Sequence, residues 1–109
     1  MPWIDLASYF FGGAFLANAV PHFVSGMMGR RFQSPFASPP GEGLSSPTVN
    51  VLWGFANFVA AYLLICRVGN FDLRDCRDVL AIGLGVLLLS LGTARHFGRF
   101  NSGNVPGQP

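Results

Sequence analysis

The charges of this chain leave three long gaps. No Asp, Glu, Lys or Arg falls within residues 6–29, 43–66 or 79–94, runs of 24, 24 and 16 residues. A helix rises about 1.5 Å per residue, so about 20 apolar residues cross a hydrocarbon core roughly 30 Å thick. Only 11% of the 109 residues are charged and half are apolar, whereas an average soluble domain carries about 25% charge. A soluble fold this small has a large surface relative to its core, and so few charges would cover it poorly. The expectation is an all-α polytopic membrane protein. It has three transmembrane helices, over about 5–28, 47–66 and 73–98, and a long Pro/Gly/Ser-rich first loop over 29–46. Residues 1–100 form one transmembrane helical domain, and 101–109 a flexible polar tail rich in Gly and Pro.

Local signals set these boundaries. Trp3 sits where an interfacial anchor belongs. Ala17-Asn18-Ala19 has the small-x-small form of a signal-peptide cleavage site, but Asp5 stands where a basic n-region should be. The first segment therefore reads as a retained helix. Pro21 lies inside it and cannot donate to the carbonyl of Ala17, which predicts a kink. In the first loop Phe32, Phe36 and Leu44 are buriable anchors, so the loop is expected to fold over the bundle or lie in the headgroup layer. Ser46 is a good N-cap and Pro47 suits a first helical position, so the second helix starts there. Gly69-Asn70 makes a turn, and Asp72 or Asp75 caps the third helix.

The basic residues are seven arginines, all just outside the apolar runs, where long side chains reach the interface. The net charge of +2, with no basic run interleaved with aromatics, argues against nucleic acid as a partner. The first helix has no arginine before it and Arg30 and Arg31 just after it. By the positive-inside rule this puts the N-terminus outside a cell (inner) membrane and the first loop and tail in the cytoplasm. Cys66 and Cys76 lie at one membrane face; they form no CxxC and no zinc-ligand spacing, and are expected to be two free thiols.

Polar side chains within apolar runs are costly, so they are the candidates for function. Asn18 and His22 share one face of the first helix by i, i+4 spacing, and Asn50 and Asn57 share a face of the second. Thr93 and His96 lie late in the third. In an up-down-up bundle most of these groups converge toward the end that carries the first loop, with Arg30, Arg31 and Arg99. The candidate ligand-binding set is thus Asn18, His22, Arg30, Arg31, Ser46, Asn50, Asn57, Thr93, His96 and Arg99. Set against this, Asn, Ser, Thr and His often hydrogen-bond between membrane helices as packing alone. Gly41-Glu42-Gly43 ahead of the helix at Pro47 has the form of an anion-binding turn, though the same letters spell an ordinary loop and cap.

No catalytic signature appears: GxxxxGK[ST], HExxH and GxSxG are all missing, and Gly83-Leu84-Gly85 lacks the rest of a dinucleotide fingerprint. No metal or cofactor is expected; haem held through His22 and His96 is the alternative. The first functional reading is an accessory or scaffold subunit in the lipid bilayer, as a homo-oligomer or within a larger membrane complex. The second is a protein that binds or transports a small anion or lipid headgroup at the helix ends and loop 29–46.

Overall fold

The computed structural model describes residues 2–101. Its helices are α1 (Pro2–Met27), α2 (Pro47–Cys66) and α3 (Cys76–Gly98). Two short strands, β1 (Phe32–Gln33) and β2 (Leu44–Ser45), pair antiparallel within the α1–α2 connection, Phe32 opposite Ser45 and Gln33 opposite Leu44. Residues 102–109, and with them most of the expected tail, lie outside the described residues.

Helix α1 is the centre of the molecule. Gly12 and Gly26 meet α2 at Ile65 and Val51, whereas Gly13 meets α3 at the Ile82 carbonyl. The α2 and α3 contacts fall on different faces of α1, and α2 and α3 scarcely touch each other, so the three helices form a layer rather than a triangle. The layer is 41 × 34 × 22 Å with a radius of gyration of 15.3 Å, against about 13 Å for a compact domain of 100 residues. Glycine sets the spacing between the helices. A Cβ on Gly54 would fall 2.7 Å from Cβ of Phe23, and one on Gly85 would strike the Phe10 carbonyl. Backbones can approach this closely only where a side chain is missing.

Burial is inverted relative to a soluble domain. Among the described residues the largest fully buried side chains are Tyr9, His22, Asn50, Asn57 and Ser34, while Phe11, Phe55, Leu84, Leu88 and Leu91 lie exposed on the helix surfaces. Helices α2 and α3 are long and apolar enough to cross a membrane, and little of either is buried within the protein. Helix α1 is long enough, but no membrane-length stretch of it is as apolar as those of α2 and α3. Its Gly, Asn, Pro and His residues lower its hydropathy, and they occupy the faces that α2 and α3 cover.

The helix ends have definite causes. Helix α1 continues through Pro21 as one element. Ser46 caps α2, its Oγ accepting from the Val49 N–H at 3.2 Å, with Pro47 in the first turn. Helix α3 starts at Cys76, later than the 73 read from the sequence. Asp72 is spent in the turn, accepting from the Arg74 N–H at 2.8 Å and donating its own N–H to Asp78 at 3.0 Å. Asp75 is the cap instead. Tyr9 clamps the α2–α3 hairpin: its hydroxyl donates to the Val68 carbonyl at 2.8 Å and its ring meets Phe71 edge-on. Cys66 and Cys76 are free and exposed.

Candidate functional site

The α1–α2 connection is a folded cap over one end of the layer, organised around Asn50. Position 50 faces α1 because the chain enters α2 at Ser46 and the next turn points inward. The Asn50 amide nitrogen lies within hydrogen-bond range of the carbonyls of Phe32 (3.1 Å), Ser45 (3.3 Å) and Ser46 (3.1 Å). With the nitrogen donating, Oδ1 is the acceptor and faces His22 Nδ1 at 2.9 Å. The proton of that bond therefore sits on Nδ1 of His22. One amide thus ties α1, both cap strands and the start of α2 together, and both side chains are at most 2% exposed.

About one helical turn deeper, Asn18 Nδ2 donates to Asn57 Oδ1 at 3.1 Å, and Asn57 Nδ2 donates to the Trp53 carbonyl at 2.8 Å. The second tie to the cap comes from α3. His96 Nε2 donates to the Gly41 carbonyl at 2.8 Å, which leaves Nδ1 to accept from the Arg99 guanidinium at 2.8 Å. Asn101 donates to Gln33 Oε1 at 3.1 Å, a third tie, and belongs to the cap rather than to a tail. The rings of Phe32 and Phe97 lie against His22 at 5.4 and 5.9 Å between centroids. Phe97 also meets His96, so an aromatic layer joins the two histidines, which do not bond each other.

The structure therefore brings His22 to Asn50, Asn18 to Asn57, and His96 to Arg99, with the cap bound to the first and last pairs. Thr93 stands apart, its hydroxyl returned to the Ser90 carbonyl of its own helix at 3.1 Å. Arg30 and Arg31 are exposed at the edge of the cap. Ser46 serves α2 as its cap. The Gly41–Gly43 turn spends its N–H groups internally: Gly41 donates to the Ser34 carbonyl, and Glu42 and Gly43 to that of Pro39. Iron ligation through Nε2 of His96 would displace its bond to the Gly41 carbonyl, whereas ligation through Nδ1 would displace the Arg99 guanidinium.

Two features were not drawn from the sequence. Phe36 and Leu44, buriable anchors by sequence, are 66% and 48% exposed, although the Phe36 ring still meets Trp53 of α2 edge-on at 5.1 Å, and polar groups share the anchoring of the cap. Gln33, Ser34 and Ser45 are buried, and the Ser34 and Ser45 hydroxyls bond each other across the strands. The second feature is the Phe32–His22–Phe97 stack. A Phe two positions after Arg30 and another beside His96 were its only sequence signals.

No family model, curated protein or solved structure matches this chain.

Proposed function

We propose that this chain is a three-span integral membrane protein that serves as an accessory or scaffold subunit, self-associated or within a larger membrane complex, with the cap as its docking surface. The observation that carries this reading is where the intramembrane polar groups are spent. Asn18, His22, Asn50, Asn57 and His96 bond one another and the cap backbone, rather than facing a common polar cavity. Groups used in this way fix a surface. No charged residue lies deep in a helix, where ion-coupled transport often needs one. The cap so fixed leaves Leu44 and much of Phe36 exposed, the Phe36 ring resting edge-on against Trp53 of α2. The three-span reading rests on α1 being flanked by two membrane-length helices and lying parallel to α3, which makes it the middle of one layer.

The test is native mass spectrometry after extraction into mild detergent, with Phe36→Glu as the variant. The wild-type chain is expected to leave the membrane as a complex of defined stoichiometry. Phe36→Glu is expected to release the monomer while its helical circular dichroism stays unchanged. A wild-type chain that is monomeric throughout would contradict the scaffold reading.

A further inference from the structure

One cavity lies away from the polar network. It is a groove of about 690 Å³ between α1 and α3, on the flank of the layer. Its walls are mainly apolar: Leu16, Val20 and Val24 from α1, Val86 and Ala94 from α3, and Phe32 of the cap at its upper end. From Leu16 to Ser25 the α1 wall rises roughly 14 Å. That is about half of a 30 Å hydrocarbon core, so the groove is as deep as one leaflet.

Its mouth is basic. Ser25 lines the groove, and its carbonyl accepts the Arg30 N–H at 2.9 Å. Phe32, which also lines it, is followed backward along the chain by Arg31 and Arg30. Both arginines are exposed, and neither makes an ion pair among the described residues. The cap has one acidic residue, Glu42, close in sequence to the Gly41 contact with α3. An apolar groove about one leaflet deep, with two exposed arginines in the chain between its lining residues Ser25 and Phe32, has the polarity of a phospholipid with an anionic headgroup.

We propose that the α1–α3 groove binds an anionic phospholipid of the leaflet on the cap side, one acyl chain lying between Val20, Val24, Val86 and Ala94 and the phosphate at Arg30 and Arg31. This rests on the reading that α1 crosses the membrane beside α3. The lipid covers the flank that the planar arrangement leaves open. Because Phe32 touches both the groove and His22, an occupied groove also supports the cap from below.

The experiment reconstitutes the full chain in nanodiscs of phosphatidylcholine containing phosphatidylglycerol, then counts retained lipids by native mass spectrometry after release into mild detergent. Wild type is expected to retain one phosphatidylglycerol about tenfold in preference to phosphatidylcholine. Arg30→Gln with Arg31→Gln is expected to lose that preference while still retaining a lipid. Ala94→Phe fills the groove and is expected to retain neither, whereas Leu52→Phe, on the exposed face of α2, behaves as wild type. A photoactivatable phosphatidylglycerol on the unmodified chain provides a readout independent of variant folding. Its adducts should fall on residues 16–25 and 86–98.

Equal retention of the two lipids by wild type, or adducts spread evenly over all three helices, overturns the proposal. A dimer with no retained lipid also overturns it and gives the groove to a second copy. Loss of lipid selectivity with three membrane crossings intact sinks this inference alone; a chain that makes two crossings sinks the reading beneath it.

Discussion

Asn50 carries more of the fold than any other side chain. Its amide is the common partner of His22 and of three carbonyls from the cap and the start of α2. Asn50→Leu keeps the volume and removes every one of those bonds, leaving the His22 Nδ1–H buried without an acceptor. A stranded buried group costs about 1–3 kcal/mol. The unfolding midpoint in detergent should fall accordingly, and protease cleavage near the exposed Phe36 should quicken. Unchanged cleavage would mean that the amide does not hold the cap. Two glycines on α3 make a second, paired prediction. Gly85→Ala drives a methyl against the Phe10 carbonyl and the Ala14 nitrogen, fixed backbone atoms that cannot turn aside. Overpacking of this kind costs about 1–3 kcal/mol. Gly83 has open space where its Cβ would be. Gly83→Ala should therefore be neutral or stabilise by up to about 1 kcal/mol through helix propensity. Thermal melts of the two variants separate close packing from propensity; equal shifts would refute the α1–α3 contact.

At the scale of elements, the caps decide where helices begin. Asp75 holds the start of α3 through a side-chain bond from the Arg77 guanidinium at 3.2 Å and through the Arg77 N–H at 2.9 Å. These contacts hold its carboxyl below the usual carboxylate range, the guanidinium bond first. A depressed carboxyl contributes its stability above its unfolded value, and that contribution is lost as pH falls through the folded one. The Arg77 amide should accordingly lose hydrogen-exchange protection as pH drops below about 4, while amides in the middle of α3 stay protected. The site is exposed, so the effect stays local to the first turn. Protection of Arg77 that does not vary with pH would rule Asp75 out as the cap. The start of α2 was legible in the sequence because Ser46-Pro47 is a local signal that needs no partner. The polar residues of the site were legible for a similar reason: an Asn or His within an apolar run is conspicuous. Their partners were less so. The bond of Asn50 to the cap carbonyls depends on a strand pair two residues long, which has no periodicity to read. The exposure of Phe36 and Leu44 depends on which side of that pair meets the helices. A hydrophobic residue in a loop next to lipid has two apolar places to go, and composition alone does not choose between them.

The whole molecule is a layer of three helices with a polar seam inside and apolar faces outside. It is closed at one end by a cap bound to α1, α2 and α3, and at the other by the clamp of Tyr9 on the α2–α3 hairpin. Apolar faces of this extent suit lipid better than water, which supports the proposed membrane reading. The account depends on α1 crossing the membrane with its neighbours, although its most apolar stretch is weaker than theirs. Single cysteines on a Cys66→Ser, Cys76→Ser background test this directly. They are placed at Pro2, Ser38 and Asn70, all exposed positions outside or at the ends of the helices. Labelling of intact cells with a membrane-impermeant maleimide should modify the cysteines at positions 2 and 70 and spare the one at 38, which should react only after the membrane is opened. Positions 2 and 38 labelling together, with 70 on the other side, would contradict the account, since α1 would then lie along one face rather than span.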